Sequence, residues 1–254
     1  MSLDPNSLCF TVDVEWAAPA VLEDLRGLFD EAGVTATFFV THAGVSVPGH
    51  ERGLHPNFRW NGDTGRAIRA ADPALFASDD ESGFYREVVR RTALFAPEAK
   101  GLRAHSLFSD SALAKTYRQA GLDYDCTHQM SLQPDLRPFF KQHDMLEIPT
   151  YYGDHFDLMA GATGLALEGL KLDRPGLKVF DFHPNIVFTN APDEDSYMAT
   201  KAFYHDPERL FAARHAGRGI RTLLLELLEH AAAKNLPVAT VGAINVEERR
   251  ERQK

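Results

Sequence analysis

Acidic and imidazole side chains recur at the ends of predicted strands along this chain of 254 residues. Asp13 and Glu15 end the first apolar run, and His55 ends the third. Since side chains alternate along a strand, Asp13 and Glu15 would point to one face. One of two neighbouring carboxylates can hold a cation while the other accepts a proton, and an imidazole beside them suits a divalent metal such as zinc. The alternative is a solvated strand end, or a helix cap, with His55 in a turn.

Two later strand ends carry further groups of this kind. Arg103 and His105 are two positions apart in KGLRAHS, and His183 follows VFDF. Arg103 would pair with Asp13, while His105 would bind a metal ion or contact substrate. An imidazole that titrates near neutral pH suits a general acid, and we expect this role for His183. The alternatives are a structural salt bridge with an incidental histidine, and a histidine that only bonds backbone.

Short β-like runs alternate with helical patterns, which is typical of a parallel sheet covered by helices. Strands are predicted over 8–14, 34–40, 51–54, 100–106, 122–127, within 141–149, 177–183 and 236–244. Helices are predicted over 19–32, 82–95, 109–120 and 218–234, a long loop over 56–80, and a charged, frayed tail from about 245. We therefore expect an α/β fold, a distorted (β/α) barrel of about seven or eight parallel strands, as a single domain over 1–254.

The charge balance and the apolar runs exclude some classes of protein. There are 27 Lys and Arg against 36 Asp and Glu, which gives a formal net charge of −9. This acidic balance argues against a nucleic-acid partner. No apolar run approaches the roughly 18 residues of a membrane span, and the first residues lack the basic segment of a signal peptide. With two isolated cysteines, these features predict a cytoplasmic location without a disulfide.

The ordered set of motifs resembles the polysaccharide deacetylase family, carbohydrate esterase family four. The resemblance is to a divergent bacterial branch associated with lipopolysaccharide or capsule biosynthesis. Residues 11–15, TVDVE, are similar to a variant of the family's TFDDG motif, and residues 49–55, GHERGLH, match the lead-in to its metal-histidine motif. Residues 102–105 are similar to the arginine motif, and residues 182–184 to the motif that carries the general-acid histidine.

The resemblance implies a barrel enzyme that removes an acetyl group from an N-acetylated sugar with a divalent metal, most often zinc. It implies that Asp13 is the catalytic base, that Arg103 keeps Asp13 ionised, and that His183 is the general acid. Glu15 and His55 would then be metal ligands.

One position departs from the family pattern. The second metal histidine should fall four residues after His55, where this chain has Arg59. We expect His105 to be the third ligand, because its strand should neighbour the strand of His55. The weaker choices are Asp13, Asn57 and Asp63.

Aromatic and amide side chains are candidates for substrate contacts, because sugar rings pack on aromatic faces. The expected set is Asn57, Phe58, Trp60 and Tyr152, with Tyr151 and Phe156 as further aromatic candidates, some of which must be core. The expected substrate is an N-acetylated saccharide or a sugar nucleotide. Two alternatives stay open: a metal-free carbohydrate-binding relative, favoured by Arg59, and a hydrolase of a small non-sugar amide.

Overall fold

A curled sheet forms the centre of the fold in the computed structural model, which describes residues 4, 6–77 and 81–254. Its nine strands are β1 (Leu8–Asp13), β2 (Thr37–Val40), β3 (Glu51–Leu54), β4 (Gly101–Leu102), β5 (Tyr124–Asp125), β6 (Phe139–Phe140), β7 (Leu146–Glu147), β8 (Tyr152–Gly153) and β9 (Lys178–Phe182). Their order is β6-β7-β5-β4-β3-β2-β1-β9-β8, and only the β6–β7 pair is antiparallel. The expected distorted barrel is thus confirmed as a half-barrel with eight parallel strands.

Helices cover the outer face of the sheet and close its ends. They are α1 (Pro19–Glu31), α2 (Asp63–Ala71), α3 (Pro73–Ala77), α4 (Glu81–Ala93), α5 (Leu113–Gln119), α6 (Asp154–Ala160), α7 (Pro184–Phe188), α8 (Glu194–Thr200), α9 (Pro207–Ala212), α10 (Ile220–Ala233) and α11 (Val241–Arg252). α1 shows why such a segment is helical. Pro19 begins it, and the apolar residues at helical spacing, such as Val21, Leu25 and Leu28, are all buried.

Alternation along the central strands separates an outer core from an inner core. Phe10 and Val12 of β1 pack in the outer core with residues of the covering helices. Cys9 packs in the inner core with Val179 of β9. Because side chains alternate along a strand, Asp13 shares the inner face with Cys9 at the carboxyl end of β1. Polar groups at the carboxyl ends of neighbouring strands therefore converge at one end of the half-barrel.

The opposite end of the inner core is closed by α11. Its first turn places Val241 and Ile244 in the inner core. The backbone N–H of Gly242 donates to Oε2 of Glu51, 3.1 Å away, at the amino end of β3. The main cleft lies at the carboxyl ends of the strands, as expected for this class of fold.

The structure corrects three expectations about individual segments. The loop expected over 56–80 contains α2 and α3, while residues 78–80 lie outside the described chain. The strand expected over 236–244 is reduced to one bridge between Leu8 and Val238. The tail from about 245 continues α11, where Arg249 and Arg252 form ion pairs with Asp144. α11 was missed because its buried residues occupy only its first turns.

Three predicted elements are shorter than expected. The strands over 100–106 and 122–127 contain two paired residues each, and the helix expected from Ser109 begins at Leu113. Beyond Leu102 the chain turns through a short 3-10 helix, His105–Leu107, in which Ser106 has a φ of 58°.

Cys9 and Cys126 are buried free thiols, as expected. None of the described helices is long and apolar enough to cross a membrane.

Candidate active site

A cleft of about 910 Å³ opens at the carboxyl ends of the central strands. Its floor carries the acidic and imidazole side chains that end β1, β4 and β9, namely Asp13, Glu15, His105, Asp181 and His183. Residues far apart in sequence are brought together because parallel strands all end at this edge of the sheet.

Two imidazoles converge on the carboxylate of Glu15. Nε2 of His55 lies 2.9 Å from Oε1 of Glu15, and Nδ1 of His105 lies 2.7 Å from the same oxygen. Glu15 reaches them because the chain turns sharply after β1, with a positive φ of 50° at Glu15. The backbone N–H of Trp16 donates to Oγ1 of Thr41, 3.1 Å away, and so fixes this turn beside the end of β2.

Glu15 is held as a carboxylate by its partners. Burial alone would raise its pKa, but the hydrogen bonds and charges of His105 and His55 hold the pKa well below its usual range. Burial lowers the pKa of His55, while Asp13 and Glu15 raise it, and the net shift is upward. Nδ1 of His55 is buried and has no hydrogen-bond partner in the described chain; it lies 3.6 Å from Oδ1 of Asp13.

The donor set of this first cluster fits a divalent metal. One ligand atom each from Glu15, His55 and His105 can be chosen so that all lie within 4.8 Å of one another. Two imidazole nitrogens and one carboxylate oxygen are the donors of many catalytic zinc sites, in which a fourth position stays open. Here Glu15 and His105 border the cleft, so an open position would face it.

A second cluster also brings together possible ligands, but Arg103 already occupies it. Asp13, Asp181 and His183 approach one another within 4.8 Å. Nη1 of Arg103 donates to Oδ1 of Asp13 at 2.9 Å and to Oδ1 of Asp181 at 2.6 Å. A metal ion placed there would be repelled by the guanidinium. The first cluster is therefore the better metal site.

Arg103 is fully buried and bonded through each of its nitrogens. Nε donates to the carbonyl of Cys126 and Nη2 to Oγ1 of Thr150, both at 3.0 Å. The expected contact between Arg103 and Asp13 is therefore present. One guanidinium can neutralise only one of the two carboxylates, and burial raises the pKa of Asp181 to about 7.

His183 is positioned by Asp154, a buried residue at the start of α6. Nδ1 of His183 lies 2.6 Å from Oδ1 of Asp154. Burial alone would lower the pKa of His183, but the charge of Asp154 raises it to about 10. The sequence analysis missed Asp154 because β8, which it follows, has only two residues. The aromatic pair Tyr151 and Tyr152, directly before Gly153 and Asp154, was the sequence feature that could have indicated this short strand.

Two of the four residues expected to contact substrate lie in the core. Phe58 is buried, with its ring centroid 5.3 Å from that of Phe108. Tyr152 is buried, packs against Phe180, and donates from its hydroxyl to Oδ2 of Asp157 at 3.0 Å. Neither Phe58 nor Tyr152 is among the residues that border the main cleft.

The other two expected substrate contacts also lie away from the main cleft. Trp60 is half-buried and stacks on Phe84 with ring centroids 3.9 Å apart. Asn57 is buried and accepts a hydrogen bond from the backbone N–H of Arg59 at 3.0 Å. It borders a smaller neighbouring cavity that also touches His105.

Other aromatic side chains line the main cleft instead: Trp16, Phe156, Tyr197, Phe203 and Tyr204. Three of them come from residues 197–204, after β9, in a segment that carried no motif. The hydroxyl of Tyr204 donates to the carbonyl of Glu15 at 2.9 Å, so this segment is fixed against the metal-site turn. Phe156 was among the further aromatic candidates and does border the cleft.

Arg59 takes no part in the first cluster. Its Nη2 donates to Oγ of Ser106 at 2.8 Å, in the turn that follows His105. Of the candidates for the third ligand, His105 is the one that lies against Glu15.

The chain is similar to known proteins over most of its length. The WbmS-like polysaccharide deacetylase family matches residues 10–201. A Bordetella bronchiseptica structure, assigned as a polysaccharide deacetylase involved in O-antigen biosynthesis (WbmS), is 27% identical with a TM-score of 0.76, over 89% of this chain and 91% of that one.

A Mycobacterium smegmatis structure assigned as a polysaccharide deacetylase shares the fold, with 17% identity and a TM-score of 0.54 over 97% of this chain and 91% of that one. No curated protein sequence matches the chain. The family match covers most of the chain and includes every acid and imidazole of the cleft floor. The chain therefore belongs to the WbmS-like polysaccharide deacetylase family.

Proposed function

We propose that this protein is a metal-dependent hydrolase that removes the acetyl group from an N-acetylated saccharide or sugar nucleotide. The observation that carries the proposal is the position of His55. Its ring lies 2.9 Å from Glu15 in the candidate metal site and 3.6 Å from Asp13, the candidate base. Metal ligands and a proton acceptor thus adjoin at one end of the cleft. The similarity to WbmS of Bordetella supports a role in surface polysaccharide biosynthesis.

The residues that would hold the metal are Glu15, His55 and His105. A divalent ion bound there supplies a Lewis acid for the acetyl carbonyl and lowers the pKa of a bound water. Zinc suits this mixed nitrogen and oxygen donor set.

Asp13 and His183 would move the protons. Asp13 accepts a proton from the attacking water, and Arg103 orients its carboxylate through the 2.9 Å hydrogen bond. His183, with a pKa raised to about 10, holds a proton at neutral pH and donates it to the leaving amine. The amide C–N bond breaks as the new C–O bond forms, which yields acetate and an amine. Because Asp13 and His183 approach within 4.8 Å, the proton on Asp13 can return to His183.

Zinc binding and acetate release test the proposal together. The wild-type chain should bind about one zinc ion and release acetate from a panel of N-acetylated sugars and nucleotide sugars. His105→Ala should lose both properties, while His230→Ala, on α10 away from the cleft, should keep them. Zinc binding by His105→Ala at wild-type affinity would remove His105 from the ligand set.

The alternatives are separated by the same assays. Sugar binding without stoichiometric metal and without acetate release would indicate a carbohydrate-binding relative. The sequence favours that alternative through Arg59, which stands where the family pattern has its second metal histidine. If the substrate is not a sugar, the protein should hydrolyse small cyclic or linear amides and should release no acetate from the sugars. Adding such amides to the panel therefore distinguishes the two hydrolases.

A further inference from the structure

Three cationic side chains border the cleft above the proposed catalytic groups. They are Arg59, Lys201 and Arg209, which we call the cationic rim. Arg59 comes from the loop after β3, whereas Lys201 and Arg209 come from the segment after α8. They are exposed, and they meet at one cleft in a chain whose formal net charge is −9.

The cationic rim has no carboxylate partner among the described residues. Many other arginines do pair with a carboxylate, as Arg52 does with Glu98 and Arg249 with Asp144. Five acids border the same cleft. On its floor, Asp13 and Asp181 are bonded to Arg103, and Glu15 is bonded to His55 and His105. The remaining two acids are also bonded. Asp63 pairs with Arg66, and Oδ1 of Asp206 accepts the backbone N–H of Arg209 at the start of α9. The side-chain charges of the cationic rim are thus left for a ligand.

Neutral contacts hold the three side chains at the cleft. Nη2 of Arg59 donates to Oγ of Ser106, one residue after the proposed ligand His105. The guanidinium of Arg209 lies 4.5 Å from the ring centroid of Phe203.

Lys201 is held more tightly than the two arginines. Its Nζ lies 2.6 Å from the hydroxyl of Tyr197, and 4.3 Å and 4.6 Å from the ring centroids of Tyr197 and Tyr204. Tyr204 in turn bonds the carbonyl of Glu15, so the ammonium is fixed near the metal site. Aromatic and hydroxyl contacts position a cation without neutralising it.

From this arrangement we infer that the substrate carries an oxyanion group close to its N-acetyl group, and that the cationic rim binds this group. The inference rests on the proposed function and narrows its substrate class. The oxyanion is either a diphosphate, as in a nucleoside diphosphate sugar, or the carboxylate of an N-acetylated uronic acid. Three cations on two sides of the cleft suit the diphosphate better, because arginine binds phosphate through paired N–H groups.

Binding affinity tests the inference separately from catalysis. The probes are UDP-N-acetylglucosamine, N-acetylglucosaminuronic acid and neutral N-acetylglucosamine, titrated into zinc-loaded protein by calorimetry, with acetate release measured in parallel. We expect at least one anionic probe to bind about tenfold more tightly than the neutral sugar, and this difference to shrink at high salt. Arg59→Gln, Lys201→Gln and Arg209→Gln should each weaken binding of that probe severalfold and leave the neutral sugar within about twofold.

Arg250→Gln, on α11 far from the cleft, is the matched control and should bind all three probes like the wild type. Preference for the uridine diphosphate sugar identifies the diphosphate as the oxyanion, and preference for the uronic acid identifies the carboxylate. Equal affinity for all three probes, or anion binding that the rim variants do not weaken, overturns the inference. If the inference fails in this way, acetate release from the neutral sugar would still support the proposed function. Conversely, anion binding that depends on the cationic rim but is not accompanied by acetate release would contradict only the proposed function.

Discussion

Asp154 accepts two hydrogen bonds from His183, one from the backbone N–H at 2.7 Å and one from Nδ1 at 2.6 Å. The carboxylate thus fixes both the main chain and the ring of the residue that ends β9. Since Nδ1 is committed to Asp154, Nε2 is the nitrogen left to exchange a proton in the cleft. A carboxylate in this position also stabilises the protonated ring, which accounts for the raised pKa of His183.

Asp154→Asn should therefore move the alkaline limb of the pH–rate profile. Without the carboxylate, the pKa of His183 should fall from about 10 toward its ordinary value of 6.5. The rate at pH 8.5 should then drop by about 100-fold, because His183 would be mostly neutral, while the loss at pH 6 should be smaller. Steady-state rates of acetate release between pH 5 and 10.5 measure this.

The same substitution should change how stability depends on pH. A histidine whose pKa is raised by folding stabilises the native state at acidic pH, and this contribution is lost as pH rises through about 10. Urea unfolding of the wild type should show that loss, and Asp154→Asn should show less of it. The exposed Asp195→Asn on α8 is the control for the stability measurement.

For the pH–rate profile, an unchanged alkaline limb in Asp154→Asn would assign the proton donor to another group.

Zinc should raise the melting temperature if Glu15, His55 and His105 bind it. At a free zinc concentration of 100 times the dissociation constant, binding adds about 2.7 kcal/mol to the free energy of unfolding. For a chain of this size that corresponds to a rise of about 5–10 °C. Thermal denaturation followed by circular dichroism measures the shift, and a chelator should reverse it.

Glu15→Gln should lose most of the zinc-dependent rise, because an amide is a much weaker zinc ligand than a carboxylate. Glu229→Gln on the exposed side of α10 should keep it. An equal rise in Glu15→Gln would mean that zinc stabilises the chain from another site.

The sequence was sufficient to predict the positions of Asp13, His55 and His183. Each follows an apolar run, and the register of a parallel sheet brings such ends together. Their contacts were less predictable. Glu15 reaches the two imidazoles because its backbone adopts a left-handed conformation after β1, which alternation along a strand does not predict. The hydrogen bond between Asp154 and His183 joins residues that are far apart in sequence and come together only in the folded chain.

The rest of the site was hidden because its elements are short. β4, β5, β7 and β8 have two residues each, which is too few for a period of two to be visible. Two residues of the cationic rim, Lys201 and Arg209, follow α8, where few buried residues mark the helices. Phe58 and Tyr152 lie in the core, and an aromatic residue near a motif can equally well be a core residue.

Gly101→Ala should destabilise the inner core. A Cβ at this position of β4 would lie 2.0 Å from the ring of Tyr124. That ring cannot move freely, because its hydroxyl donates to Oε1 of Glu51 at 2.9 Å. We expect the free energy of unfolding to fall by about 1–3 kcal/mol, as overpacking of a core typically costs, measured by urea denaturation.

Gly27→Ala is the matched control for this substitution. Gly27 lies inside α1, and nothing lies within 4 Å of a Cβ placed there. Alanine should stabilise that helix by about 0.5–1 kcal/mol. Similar changes in both variants would contradict the close packing of Tyr124 on β4.

Arg103→Leu should destabilise the protein more at pH 8 than at pH 5.5. The substitution leaves the buried Asp13 and Asp181 without the guanidinium that bonds both, and removing one partner of a buried ion pair costs about 3–5 kcal/mol. Because folding raises the pKa of Asp181 to about 7, its carboxylate opposes folding increasingly as pH rises from 3.8 through 7. Protonation at pH 5.5 should therefore recover part of the loss, and Arg103→Lys, which keeps the charge, should lose less at pH 8. Urea denaturation at pH 5.5 and at pH 8 measures the free energy of unfolding of each variant. An equal loss of stability at both pH values would show that Asp13 and Asp181 do not depend on Arg103 for their charge balance.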